Sequence, residues 1–501
     1  MRRGPAYLTM PLEVISSEVD LPTSANQESR LIFEYLLRSN HSAREPFNTV
    51  AIFQIDGQLH LESLQEALNA ILHRHSVLRA SFFPCEDVSE IVRQKLMLEY
   101  TSTGKAPQDL FKHRILPIEP IQIQPLVLNT NDEAMQISKL KSIISTCNSH
   151  FDYSQPPLLR VKLVEIHPNR YIFILAFPHL ICDGISRKVM LDELWLLYRL
   201  LAYNTNSKNS SNERLLLPNS YHFSQYTLWE QKFMSNSKFQ DCVEYWIEHW
   251  KHFSRERLQR ADLQISRKDG ERANEEVPIS ICENLSPGLT EVIRKFAKAR
   301  QLTPHMFFLT AFYLTLYRYT CKTRLAVWIN FANRHREEFH QMVGWFSNSH
   351  LVGVDISDNP KIEELLSRVR STLIQSIRHS GMPTGRLWHY LEGLFDPRQF
   401  EEVFISFNYL PAGWRGKPQS LPQIKIAEIS LGTFISASST WKPLEVSVAD
   451  QRDHITITIV SNGVIFDETA IQALQTLFLD MLTVLLEKPS DNVLSLRSNM
   501  C

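Results

Sequence analysis

An excess of charge of either sign is missing from this chain: 53 lysines and arginines stand against 54 aspartates and glutamates. Nothing in that balance draws it to nucleic acid or to an anionic membrane. Cysteine is scarce, seven in 501 residues, with no Cys-x-x-Cys spacing, which predicts reduced thiols and a cytoplasmic protein. No stretch approaches the roughly 18 apolar residues of a membrane span. The basic start Met1-Arg2-Arg3 leads into no sustained apolar run, so no cleaved signal is expected. Gly-x-Gly-x-x-Gly and Gly-x-x-x-x-Gly-Lys are absent, which removes the common nucleotide cradles. Gly-x-Ser-x-Gly is absent too, and with it the hydrolase nucleophile elbow. His73 with His75, and His335 with His340, lack partners at ligand spacing, so no metal site is expected.

What the chain does have is a histidine at a strand end. Tyr171-Ile172-Phe173-Ile174-Leu175-Ala176 reads as a buried strand. From Ser186, the spacing of Val189, Met190, Leu194, Leu197, Tyr198 and Leu201 is helical. Between them runs Phe177-Pro178-His179-Leu180-Ile181-Cys182-Asp183-Gly184. An imidazole there is fixed, partly dry and close to neutral in its titration, as proton transfer requires. The same string on its own is also compatible with a packed core histidine. Cys182 reads as a small packing residue.

The rest of the chain alternates helix and strand. Residues 48–59 read as a strand, 61–72 as an amphipathic helix, and Leu158–Ile166 with Tyr171–Phe177 as a hairpin around His167-Pro168-Asn169-Arg170. Residues 204–213, Asn-Thr-Asn-Ser-Lys-Asn-Ser-Ser-Asn-Glu, cannot bury a core and read as a linker. A helical, aromatic-rich region spans 221–250, and a charged stretch runs from Arg255 to Glu276. Helices follow at Leu289–Arg300, at Met306–Tyr319 behind a Thr303-Pro304 cap, at 361–378 and at 468–487. Strands are expected at Leu325–Phe331 and His454–Ser461. Periodicity gives an α/β chain in two domains: an extension over 1–22, a lobe over 23–203, the linker, and a second lobe over 214–501.

Several segments, taken together and in order, carry a resemblance. His179-x-x-x-Asp183-Gly184 is preceded by Thr23-Ser24-Ala25-Asn26-Gln27-Glu28-Ser29-Arg30-Leu31, by Arg74-His75-Ser76-Val77-Leu78-Arg79-Ala80-Ser81-Phe82, and by Phe151–Val161. It is followed by Ala332–Phe339, Val343–Ser349 and Phe404-Ile405-Ser406-Phe407-Asn408-Tyr409. This series resembles the condensation domains of nonribosomal peptide synthetases, within the thioester-dependent acyltransferases of the chloramphenicol acetyltransferase type. The resemblance implies an α+β fold of two such lobes, each a mixed sheet backed by helices, with a tunnel between them. It implies an acyltransferase joining an acyl thioester to an amine or hydroxyl, giving an amide or ester in natural-product biosynthesis. The donor would ride on the phosphopantetheine arm of an acyl or peptidyl carrier protein met in trans, or on CoA, with no cofactor held permanently. The acceptor would be a small amine or alcohol. A free-standing monomeric enzyme, binding neither nucleic acid nor membrane, is expected.

By the same resemblance His179 is the catalytic residue, as general base or positioner. Asp183 is structural, paired with Arg79. Gly184 gives the loop its backbone freedom and offers an amide to an oxyanion. Asn348, Asn408, Ser406 and Trp345 are candidates for the tunnel lining. One departure stands out: the family pattern begins with two histidines, and here the first is Pro178. A strand end tolerates proline. Two other readings therefore stay open: a catalytically impaired relative that only docks carrier proteins, and a CoA-dependent alcohol acyltransferase outside any assembly line.

Overall fold

The computed structural model describes residues 12, 19–39, 46–85, 110–117, 119–128, 132–203, 221–253, 279–391, 405–411, 419–429, 444–451, 453–461 and 466–496. The predicted linker at 204–213, the charged stretch from 255 to 276 and most of the 1–22 extension lie outside them.

Strands in the first half are β1 (Leu21–Pro22), β2 (Asn48–Gly57), β3 (Ala80–Pro84), β4 (Phe111–Ile115), β5 (Leu126–Val127), β6 (Arg160–His167) and β7 (Arg170–Pro178). The second half adds β8 (Ile279–Asn284), β9 (Arg324–Phe331), β10 (Asn348–Asp355) and β11 (Ile405–Leu410). It ends with β12 (Gln419–Ser420), β13 (Ile424–Ile429), β14 (Leu444–Asp450) and β15 (Ile455–Ser461). They form a small sheet in the order β1-β4-β3 and two six-stranded sheets, β12-β13-β2-β7-β6-β5 and β10-β9-β11-β14-β15-β8. Both large sheets are mixed, with parallel pairs at β5–β6 and at β9–β11–β14.

The hairpin expected around residues 167–170 is present, with Asn169 at φ 62° in its turn, a conformation asparagine tolerates better than most residues. Strand β7 is buried from Ile172 to Pro178 because β2 and β6 flank it. The expected helical region 221–250 is two helices, Phe223–Met234 and Ser237–Phe253. Thr303 caps helix Pro304–Thr320 through its hydroxyl, which accepts from the Met306 N–H at 3.3 Å. That helix is buried at every position from Met306 to Tyr317 and belongs to the hydrophobic core.

Three expectations need correction. A contiguous division into lobes fails at one place: β13 pairs antiparallel with β2, so residues 419–429 complete the sheet of the first half. Helix Glu468–Glu487 does have the length and apolar composition of a membrane span. Its Ile471, Leu474, Phe478, Met481, Leu482 and Leu485 are buried in the core, Phe478 edge-on to Phe312 of helix Pro304–Thr320. Finally, Cys321 is disulfide-bonded, whereas Cys85, Cys147, Cys182, Cys242 and Cys282 are free thiols.

Candidate active site

His179 sits one step beyond the last rung of the β2–β7 ladder. Pro178 faces Asn48 in register, with φ −68° and ψ 138°. That is the strand conformation proline permits, and its missing N–H falls at the ladder's end. The next amide is intact: the His179 N–H donates to the Phe47 carbonyl at 2.9 Å. The chain then makes a short 3-10 turn over His179–Ile181, and helix Gly184–Tyr203 begins. His179 is half-buried, with Leu180, Ile181 and Cys182 sealed in the core beside it. Burial pushes the Cys182 thiol far up, so at neutral pH it stays protonated and non-nucleophilic.

Asp183 organises the turn. Its Oδ1 accepts from the Ser186 N–H at 2.8 Å, capping the helix that starts at Gly184. Its Oδ2 accepts from the Phe346 N–H at 3.1 Å. The expected partner, Arg79, is elsewhere: it donates to the carbonyls of Leu72 and Leu116 at 3.1 and 2.7 Å. The guanidinium on Asp183 belongs to Arg334, with Nη2 3.0 Å from Oδ1 and 2.7 Å from the Ser186 hydroxyl. Arg334 is anchored in turn by the carbonyls of Phe339 and Met342 and lies 4.1 Å over the Phe346 ring. Burial alone would raise the Asp183 carboxyl, but Arg334 and the donors of Ser186 and Phe346 hold it below the ordinary carboxylate range. Both partners are almost wholly buried. Asp183 is thus an ionised brace with no free face for chemistry.

The loop Val343–Ser347 closes the other side. Ser186 Oγ donates to the Gly344 carbonyl at 2.6 Å, and the Gly344 N–H returns to Ser186 Oγ at 3.0 Å. A Cβ on Gly344 would run into the ring of Phe223, so only glycine allows this approach. The first helix, Ala25–Ser39, completes the frame: Gln27 Nε2 donates to the Leu180 carbonyl at 2.9 Å.

Of the tunnel candidates, Trp345 lies against the imidazole, its ring 4.9 Å away and edge-on at 73°. Asn348 is buried with its amide committed to the protein: Oδ1 accepts from Asn26 Nδ2 at 2.7 Å, and Nδ2 donates to the Ser380 carbonyl at 2.8 Å. It therefore ties the first helix to the second half. Ser406 is buried, its hydroxyl 3.4 Å from Glu445. Asn408, half-buried, accepts from Asn330 at 2.7 Å. Gly184 is the first residue of its helix. Sequence reasoning passed over Phe47 and Ser186 and gave Arg334 no role. No local signal in the sequence marks Arg334; it follows strand β9 at the point where Asn333, at φ 51°, turns the chain.

A fixed, half-buried imidazole on a braced loop between two mixed α/β sheets can be placed among known proteins. The family model of the condensation domain matches residues 17–498. The chain belongs to the condensation-domain family. A linear gramicidin synthase protein of Brevibacillus parabrevis is 24% identical over 493 residues, 97% of this chain and 9% of that protein. The chain thus spans under a tenth of the length of such relatives. Among solved structures, the X-domain from teicoplanin biosynthesis matches with a TM-score of 0.72 at 16% identity, over 97% of this chain and 99% of that one. The first condensation domain of the CDA synthetase matches with 0.70 at 15% identity, over 95% and 98%. At such identities these two structures speak for the shared fold, a condensation domain of two mixed sheets backed by helices.

Proposed function

We propose that this condensation domain transfers an acyl group from a thioester to an amine or hydroxyl, with His179 carrying the proton. The observation behind the reading is the placement of one half-buried imidazole on a loop held by the Asp183–Arg334 pair. The acceptor attacks the thioester carbonyl while its N–H or O–H proton passes to the imidazole. The C–S bond then breaks, and the imidazolium returns that proton to the departing thiolate. Products are one amide or ester and one thiol, and His179 ends as it began. A thioester is already activated, so orientation of two substrates and one proton shuttle suffice. The donor is an acyl group on a carrier protein's phosphopantetheine arm or on CoA, and the acceptor a small amine or alcohol, each reaching His179 from its own side between the lobes.

The test is an intact-mass assay in which acyl-loaded carrier protein, or acyl-CoA, is incubated with candidate acceptors and with wild type or His179→Ala. Product from wild type and its near-absence from the variant support the reading. Acyl-carrier binding without transfer would favour the docking alternative instead. Pro178 in place of the first motif histidine gives that alternative its footing, as does the likeness to an X-domain whose complex with OxyB has been solved, with a TM-score of 0.72.

A further inference from the structure

The imidazole of His179 is gripped by two rings. Phe47 stacks on it with centroids 4.3 Å apart and planes 17° apart, while Trp345 meets it edge-on at 4.9 Å. The two gripping rings also touch, at 5.8 Å and 57°. Phe47 is doubly tied to the histidine, because its carbonyl also accepts the His179 N–H. Above Phe47 lies the Arg30 guanidinium, 4.5 Å from the ring centroid. Arg30 is ion-paired to Glu34, whose carboxylate also receives the Tyr153 hydroxyl at 3.4 Å. Residues 46 and 47 enter β2 directly, so the strand that forms the ladder to β7 also delivers the stacking ring.

Parallel stacking on one side and an edge contact on another remove the free rotation of the imidazole about its Cβ–Cγ bond, since both geometries have defined optima. Pro178 has neither a side-chain donor nor an N–H to share in that task. We propose that Phe47, backed by Arg30, is the positioning residue that aims the His179 ring at the reacting groups. This rests on the reading of His179 as proton carrier.

Two consequences follow from the chemistry. Misalignment of a proton-transfer group slows turnover without weakening substrate binding. Protonation would place an imidazolium against the Phe47 face, a favourable cation–π contact, and Arg30 across the same ring opposes it. Among the described residues, the charged groups on the elements around the ring include Glu28, Arg30 and Glu34 of the first helix, Asp183 of its own loop, Arg187 of the helix that follows and Arg334 beyond β9. The Asp183–Arg334 and Arg30–Glu34 pairs are each mutually neutralised, so removing Arg30 strips a positive charge from the far face of Phe47 and leaves the Glu34 carboxylate unpaired, and both changes favour the imidazolium.

The experiment compares wild type with Phe47→Leu, Phe47→Tyr and Arg30→Met in the carrier-protein transfer assay, with thermal unfolding of each. Phe47→Leu is expected to lower kcat about 10- to 100-fold with KM within about twofold, and to move the acidic limb of the kcat profile to lower pH. Phe47→Tyr, which keeps the face, restores turnover; Arg30→Met moves the limb to higher pH. Wild-type turnover and profile in Phe47→Leu would overturn the proposal, as would equal losses in Leu and Tyr that track only lowered stability. A binding-free readout separates the two readings: the NMR titration of the His179 ring, assigned by its disappearance in His179→Ala. If His179→Ala retains activity while Phe47→Leu still lowers that midpoint, the proton-carrier role fails and the positioning contact stands. An unmoved midpoint and unmoved ring shifts in Phe47→Leu refute the contact itself.

Discussion

The Asp183 carboxylate and the Arg334 guanidinium, 3.0 Å apart and almost wholly buried, join the loop that carries His179 to the segment that follows β9, 151 residues along the chain. The pair links two halves of the molecule at the point where the chemistry is proposed. A buried ion pair adds little over an apolar replacement of both partners, but loss of one leaves the other charge stranded.

Arg334→Met should therefore cost about 3–5 kcal/mol, read as a fall in the denaturant midpoint, and should lower transfer activity with it. Arg79→Met should leave turnover close to wild type, because Arg79 serves the carbonyls of Leu72 and Leu116, away from the His179 loop. Equal effects of the two variants on kcat would contradict the assignment of Arg334 as the partner.

Gly344→Ala tests the closeness of the same loop. The added methyl meets the ring of Phe223, which packs on Tyr226 and Phe346. Overpacking of this kind costs about 1–3 kcal/mol, and the bonds to Ser186 must lengthen. A melting temperature and a kcat both equal to wild type would show that the loop has slack.

His179→Ala should slow transfer about 10²- to 10⁴-fold while folding normally, since the half-buried ring's backbone bond to Phe47 survives the change. The measurement is single-turnover product formation alongside the thermal unfolding curve. A loss below tenfold would reduce the histidine to a spectator.

Acid should weaken the fold well before carboxylates protonate. Burial holds His113 and His249 down to about 4 and His350 down to about 3, while an unfolded chain protonates them near 6.5. His249 moreover accepts the Gly353 N–H through Nε2 at 3.1 Å, which only the neutral ring can do. These groups bind protons in the unfolded state and not in the folded one, so the stability they allow is complete above about pH 6.5 and drains away toward pH 4, by about 1.4 kcal/mol per unit for each histidine. Urea midpoints at pH 7, 6 and 5 should fall in that order. His350→Phe, which keeps the stack on Trp246, should flatten the slope by about one proton.

The residues of the His179 loop were legible in the sequence because every signal there is local. A β-branched and aromatic run gives the strand, an Asp-Gly pair marks the entry to the helix, and a helical period follows. The cap by Asp183 agrees with that local grammar, and the helix starts two residues before its apolar period shows. What the sequence hid is long-range. Arg79 and Arg334 both lie in segments matching the family, and only the fold decides which of them meets Asp183. Asn348 was a tunnel candidate through the family match alone; its two partners, Asn26 and Ser380, come from distant segments. The place of β13 was hidden for the same reason, since no spacing rule announces that a late strand will pair with β2.

That late strand has a practical meaning. Because residues 419–429 belong to the sheet that begins at Asn48, a gene cut near residue 210 would not give two self-sufficient pieces. The upstream piece would carry a raw edge along β2, open to aggregation, and the downstream piece a severed strand with nothing to lie against. Any scheme that swaps halves between such domains must carry this ribbon along with the half whose sheet it finishes.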